Sequence, residues 1–503
     1  MARTARDFDS FVAKNVAMEW DIQKQKIFEH FGLAARSSPQ PEGQEKTFNG
    51  GTSAFGKSTF GRSRLGGSVG PGTGLSSNSV WAKSAMGNSV MGKSMARPAE
   101  GAAPTYQTNL FTDLDASRQV ELSRQVQQRQ QAYGKVVKDL NEARLKSGSG
   151  ASTYPILKRF GDITQGSGTD MLTMQLQDSW KLLASITGES AKGDDNPFGG
   201  PREREFLRDY MMDVNGDTPG ASKVRRKVEK GSRSFLERQF RDVVEQTVTE
   251  NPQIAQVGGV PSVVNKFRGF INVKRHANRE QADWDPKNFD VVDGIACWAL
   301  VFYLIRAGLL KEADDYVRQN QQSFQKLDRG FATYLHAYCT NEDRRLPRQL
   351  HDRIHGEFNN RVRHMEDSKD PFKPAVYKII GRCELAKRSM PNVMPTAEDW
   401  MWLQLVLSRE IDRTTEPANE VFTIQDLQKN ITQFGAKHFS ARGSNVGLYF
   451  QMLLMCGMFE DAIQYLYSFH FVDGVHFAIA LTYYGLLRPS ESPLKADQEL
   501  RKI

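Results

Sequence analysis

Cysteine is scarce in this sequence: four in 503 residues, Cys297, Cys339, Cys383 and Cys456, far apart and without a CxxC pair. That argues against a disulfide framework or a zinc or dithiol motif and predicts buried thiols of a reducing compartment. Long apolar runs are missing too. No stretch reaches about 18 apolar residues, and no basic-then-apolar pattern opens the chain, so neither a membrane span nor a signal peptide is predicted. No segment alternates convincingly with the period of a strand. Also absent are a GxSxG elbow, an HExxH pair and a Gly-rich loop set between strand and helix. With a helical pattern throughout, these gaps argue against an enzyme, and no catalytic residue, cofactor or metal is expected. Charge of one sign is lacking as well. Lys and Arg number 67 against 59 Asp and Glu, a net +8. Residues 35–112 alone hold eight Lys/Arg against three Glu, or +5 of that surplus. A globally basic nucleic-acid binder is therefore not required.

What is present is helix. In 293–324 (DGIACWALVFYLIRAGLLKEADDYVRQNQQSF) an αα-hairpin is expected. Ile295–Ile305 is apolar on nearly all sides, the pattern of a buried helix. Gly308 stands where a left-handed helix stop wants glycine. Leu309, Leu310, Ala313, Tyr316 and Val317 then recur at helical spacing, with Lys311, Glu312, Asp314 and Asp315 expected to face out. The grammar returns 149 positions later, where Gly457, Asp461, Ala462, Tyr465 and Leu466 replace Gly308, Glu312, Ala313, Tyr316 and Val317. Such a unit suits a helical solenoid, although two copies set no period.

Ahead of the array, 7–33 forms one amphipathic helix candidate, with Phe8, Phe11, Val12, Met18, Trp20, Ile22, Ile27 and Phe31 on a broad apolar sector. It would pack on its own domain or dock in a partner's groove. The next segment favours docking: residues 35–112 are rich in Gly, Ser, Asn and Thr, cannot offset chain entropy by burial, and are expected to be a disordered tether spanning on the order of 50 Å. Two stretches there, Gly51–Ser58 and Gly87–Ser94, satisfy GxxxxGK[ST], but neither has a strand before it or a helix after it, so no nucleotide site is expected. Phe55-Gly56 and Phe60-Gly61 read as linker.

From residue 113 onward about fifteen helices are expected and no strand, including 117–146, 155–163, 171–186, 203–212, 225–249, 295–305, 347–365, 424–434 and 473–487. A helix also follows Val257-Gly258-Gly259-Val260-Pro261, with Pro261 near its first turn. His351 and His355 share a helix face at metal-ligand spacing, but they sit among Arg344, Arg345, Arg348, Arg353, Arg361 and Arg363, so a basic face is the better reading. The basic helices 223–241 and 344–364 raise a second function, phosphate-backbone binding. Glu229, Glu237, Asp242, Glu342, Asp343, Asp352 and Glu357 interrupt them, which favours ordinary solvated faces.

Several longer blocks carry a resemblance: QVGGVPSVVNKFRGFINVK (256–274), CWALVFYLIRAGLLKEA (297–313), DPFKPAVYKIIGRCEL (370–385) with TAEDWMWLQL (396–405), LYFQMLLMCGMFEDAIQYL (448–466) and VHFAIALTYYGLL (475–487). In this order they resemble the nucleoporin-interacting component family, the linker-scaffold nucleoporins of the nuclear pore's inner ring. Met18-Glu19-Trp20 with Gln23, Lys24 and Ile27 is similar to the family's short helical region before its solenoid. The resemblance implies an all-α elongated solenoid of the nuclear pore and vesicle-coat scaffold type at 113–503, a docking helix at 1–34 and a linker at 35–112. It implies a structural scaffold at the nuclear envelope that supports nucleocytoplasmic transport. The partners it implies are giant superhelical inner-ring nucleoporins for the N-terminal helix and further linker nucleoporins for the solenoid. No small-molecule substrate, membrane insertion or nucleic acid is expected. Phe11, Met18, Trp20, Ile22 and Ile27 are the expected protein-binding anchors, since aromatic and large aliphatic groups dominate such grooves. The alternative is a helical RNA-binding or vesicle-coat-type adaptor. Compared with the family, the chain is expected to be truncated at both ends, exposing at its C-terminal end an apolar face that a further repeat would cover.

Overall fold

Residues 116–488 are described by a computed structural model, apart from 148–152, 167, 169, 190–199, 213–217, 259–261, 280–283, 285, 363–369, 411–419 and 440–444. The helix expected at 7–33, the tether at 35–112 and both phosphate-loop matches lie outside the described residues.

The described residues are helical almost throughout. Three helices lead: α1 (Ala116–Ser147), α2 (Ile156–Gln165) and α3 (Met171–Thr187). The short α4 (Leu207–Met212) precedes α5 (Pro219–Glu250), α6 (Pro252–Ala255) and α7 (Val263–Ala277). A two-stranded ribbon, β1 (Val291–Val292) and β2 (Ile295–Ala296), opens the hairpin of α8 (Cys297–Arg306) and α9 (Leu310–Gln319). Then come α10 (Gln321–Leu327), α11 (Phe331–Thr340), α12 (Arg348–Glu357), α13 (Phe372–Gly381), α14 (Ala397–Leu407) and α15 (Ile424–Phe439). The last three are α16 (Val446–Met455), α17 (Phe459–Tyr467) and α18 (Phe471–Tyr484).

Helix α5 is the spine. Thr218 caps it by accepting from the Ala221 N–H, and Pro219 opens its first turn without an N–H to satisfy. Its 32 residues extend about 48 Å at the helical rise. Helices α3, α4, α7, α14 and α16 all pack along it. Every residue of α8 is buried, as its all-round apolar sequence predicts. Trp298 packs edge-on against Phe331 and Phe324 and donates its indole N–H to Asp290 at 2.9 Å.

Both glycine turns have the geometry their sequences predict. Gly308 (φ +71°) donates to the Ile305 carbonyl and Leu309 to that of Leu304. Gly457 (φ +74°) and Met458 donate to Leu454 and Leu453 in the same pattern. This paired bonding is the Schellman helix stop. It recurs at Gly485 with Leu486, a third instance.

Several expectations are corrected. Ile295 and Ala296 are strand, because Asp293 and Gly294 both take positive φ (53° and 73°) and turn β1 back on β2, with Val291 opposite Ala296 and Val292 opposite Ile295. Asp-Gly is the favoured pair for such a turn, a signal overshadowed by the apolar run behind it. The helix expected from 203 starts at Leu207, because the Arg204 and Phe206 N–H groups donate to the Tyr483 and Tyr484 carbonyls at 2.7 and 3.0 Å. The helix expected over 347–365 passes at Phe358 into a π turn that ends at Val362. Asp314 is buried, accepting from His336 Nδ1 at 2.9 Å, where a solvent-facing side chain was expected.

The C-terminal end also differs from a bare array. The inner face of α18 is covered by α1, α2 and α3. Phe477 stacks on Trp180 with centroids 3.5 Å apart, and His476 stacks on Tyr133. Arg129 pairs with Asp473 at 3.2 Å, and Tyr133 donates to the same carboxylate. The chain thus folds back within the described residues, so contacts are not confined to neighbouring repeats. An exposed apolar group remains at the α17–α18 corner, where Tyr467, Phe469, Phe471 and Val475 meet solvent.

Candidate functional site

One face of α5 carries Arg225, Glu229, Arg233 and Glu237, four residues apart and alternating in sign. Side chains at that spacing stack along a helix. The face points inward. Arg225 grips Glu410 with two bonds, Nε–Oε1 at 2.8 Å and Nη2–Oε2 at 2.9 Å. Arg344 grips Glu237 the same way at 2.6 and 3.1 Å, and Trp402 donates to Glu237 at 3.4 Å. Glu229 accepts from Ser408 at 2.9 Å. Arg345 donates to the Glu410 backbone carbonyl at 2.9 Å and Arg409 to that of Arg344 at 2.6 Å. This network locks the end of α14 and the segment after α11 onto the spine.

Burial shapes its protonation. It pushes the Glu229 carboxyl up to about 7, against the opposing Ser408 hydrogen bond. Arg409 is pushed down to about 9 by burial first, then by repulsion from Arg382 and Arg345. Arg233 is lowered by burial and by Arg344. Burial also works against the charge of Arg344, but its bonds to Glu237 more than reverse that and hold it protonated.

The basic segments 223–241 and 344–364 are thus not simply solvated faces. Arg225, Arg233 and Arg344 turn inward to acids, while Lys227, Lys230, Arg348 and Arg353 pair with Glu205, Glu342, Glu420 and Glu357 at 3.1–3.4 Å. Mixed pairing of this kind does not build the single-sign field that phosphate-backbone binding uses. His351 and His355 do share a face, with ring centroids 4.2 Å apart, but His355 Nε2 is bound to the Gly381 carbonyl at 2.8 Å. That nitrogen is a donor and leaves only the other ring nitrogen to ligate, and among the described residues no group of three or more His, Cys, Asp or Glu side chains is placed to hold a metal ion. Of the cysteines, Cys297, Cys383 and Cys456 are buried and Cys339 is partly so; burial pushes Cys339 and Cys383 up to about 12, leaving them inert.

Two surface features stand out among the described residues: the exposed aromatic corner of α17–α18, and a cleft of about 360 Å³ between α5, α7, α8 and α14. Phe240, Phe270, Trp284 and Tyr303 line that cleft beside Glu398 and Asp399. The expected anchors Phe11, Met18, Trp20, Ile22 and Ile27 lie outside the described residues. The ladder's RxxxExxxRxxxE spacing was readable in the sequence, but its inward direction was not.

The comparison with known proteins follows the same core. The family profile described as Nup93/Nic96 matches residues 174–502. The chain belongs to the Nup93/Nic96 family. Nucleoporin NIC96 of Chaetomium thermophilum is 36% identical over 524 aligned positions, covering 99% of this chain and 45% of that protein. Nucleoporin NIC96 of Saccharomyces cerevisiae is 30% identical over 371 positions, covering 74% and 38% respectively. The Xenopus laevis nuclear pore complex protein Nup93 is 31% identical over 260 positions, covering 51% and 30%. The crystal structure of Chaetomium thermophilum Nic96 SOL superposes with a TM-score of 0.64 at 36% identity, covering 75% of this chain and 51% of that one. The chain spans less than half the length of these curated relatives. The family profile includes the ladder, the glycine turns and the fold-back helix α18.

Proposed function

We propose that this chain is a structural scaffold of the nuclear pore complex, an inner-ring linker nucleoporin at the nuclear envelope that supports nucleocytoplasmic transport without catalysis. The observation that carries this reading is the Nup93/Nic96 match over 174–502, which coincides with the helical array built on α5. The relatives are named nucleoporins and nuclear pore proteins, and a packed helical array suits a role in holding partners.

The proposed division of labour has three parts. Residues 1–34 dock on a giant superhelical nucleoporin, 35–112 are a flexible tether, and 113–503 form the solenoid that receives further linker nucleoporins. Tethering makes the second contact intramolecular and raises its effective concentration without new contacts. Phe11, Met18, Trp20, Ile22 and Ile27 anchor the docking helix, with Trp20 at its centre.

The test uses the full chain against an inner-ring superhelical nucleoporin. Trp20→Ala is expected to weaken binding by about 2 kcal/mol or more, the scale of an aromatic anchor, while the helical circular dichroism of the chain stays unchanged. Equal affinity of the two proteins would sink the docking role.

A further inference from the structure

The ladder on α5 leaves more positive charge than its carboxylates take up. Glu237 is occupied by both arms of Arg344, Glu410 is occupied by Arg225, and Glu229 accepts from the neutral Ser408. Three guanidinium groups of this network, Arg233, Arg345 and Arg409, then have no carboxylate at hydrogen-bond distance among the described residues. Arg233 has Glu237 no nearer than 3.9 Å, and its Nε is buried without a hydrogen-bond partner. Arg345 and Arg409 donate to backbone carbonyls only, those of Glu410 and Arg344.

These groups are not scattered. Arg233, Arg345 and Arg409 line one cavity of about 80 Å³, with Arg226 and Lys230 on its exposed rim. Four acids also line it: Glu342 and Asp343 at the mouth, Glu229 and Glu410 further in; Glu342 is paired with Lys230 at 3.4 Å, Glu410 with Arg225 at 2.8 Å, and Glu229 accepts from Ser408. One water needs about 10–15 Å³ of such space, so the cavity has room for several waters or for one compact polyatomic ion. A planar guanidinium fork matches the oxygens of a tetrahedral oxyanion, and several converging forks favour a dianion over a single carboxylate.

We propose that this cavity binds a compact oxyanion of the phosphate-monoester class, with Arg233 and Arg409 on its floor and Arg226 and Arg345 at its edge. The suppressed basicity of Arg409 and Arg233, lowered by burial first and then by neighbouring arginines, agrees with such a site, since a bound anion would offset both. The group could arrive as a free phosphate or as a phosphoserine side chain. The chemistry recognised is the same.

Isothermal titration of the full 503-residue chain at fixed ionic strength tests this, with inorganic phosphate in one arm and a short phosphoserine peptide in the other. One-site saturable binding at about 1 mM or tighter is expected in at least one arm. Arg409→Gln tests the floor. Arg226→Gln, at an exposed position outside the network, tests the edge in a chain whose core is intact; Arg345→Gln, at a half-buried position, also gives up the bond to the Glu410 carbonyl. Each edge variant is expected to bind about tenfold more weakly, the loss of one charge-assisted hydrogen bond. Comparable affinity in both arms identifies free phosphate as a sufficient source. A tenfold preference for the peptide identifies a phosphorylated protein. Either result supports the site. No saturable binding in either arm overturns it, and so do edge variants that bind within twofold of the parent.

Discussion

The hairpins α8–α9 and α16–α17 share one local grammar, end in the same glycine turn and lean on the same spine, yet they meet α5 through opposite chemistry. At Gly308 the neighbour is the carboxylate of Glu237, the group that holds Arg344 and Trp402. At Gly457 the neighbour is the apolar side chain of Val228. The turn itself is a local matter of positive φ and two backbone hydrogen bonds. What the turn rests on depends on where α5 passes, nine residues apart along one helix. Identical local motifs therefore carry different consequences when altered.

The largest expected effect breaks the charged contact. Glu237→Ala leaves the Arg344 guanidinium, whose side chain is 12% exposed, without its carboxylate. A cost of about 3–5 kcal/mol in chemical denaturation is expected for such an orphaned buried charge. Next comes the pair of turns. Ala at either glycine takes a left-handed conformation that costs roughly 1–2 kcal/mol. At 308 the new Cβ would also lie 2.9 Å from the Glu237 carboxyl carbon, whereas at 457 the nearest atom is Val228 Cγ1 at 3.3 Å. Gly308→Ala should therefore lower stability by about 2–4 kcal/mol and Gly457→Ala by about 1–2 kcal/mol. Equal losses would remove the distinction between the two hairpins.

A smaller, pH-dependent effect sharpens it. Glu229 sits between the two contact points and is raised to about 7 by burial. Glu398 and Asp370 are raised to about 7 for the same reason. A carboxyl with a raised folded value binds more protons folded than unfolded between about pH 4.5 and 7, so stability falls as pH rises through that window. Glu229→Gln keeps an acceptor for Ser408 and removes the charge. It should flatten part of that slope and stabilise the chain at pH 8 by on the order of 1–3 kcal/mol, read from denaturation midpoints at pH 5 and pH 8.

Much of this fold was legible in the residues. The all-round apolar run of α8, the left-handed stops at Gly308 and Gly457 and the short length of most helices follow from periodicity and glycine placement, which are local. The proposed docking anchors Phe11, Met18, Trp20, Ile22 and Ile27 rest on sequence pattern alone. The Asp293-Gly294 turn was legible too, but its two strands are shorter than any periodicity can register. The ladder was legible only as spacing. Arg225 and Arg344 read as a basic surface because their partners, Glu410 and Glu237, lie 185 and 107 residues away.

The sequence by itself determined that the described residues are helical, where the glycine-stopped helices end, and which family the core blocks resemble, because hydrogen bonding within a helix and the sterics of positive φ act over a few residues. Only the tertiary structure decided that α5 is the spine, that α18 returns to α1 and α3, and that an apparently basic face is an interior network. Those outcomes depend on which distant carboxylates, aromatics and carbonyls arrive beside a side chain. Burial then makes pairing compulsory, since an unpaired charge away from water costs several kcal/mol.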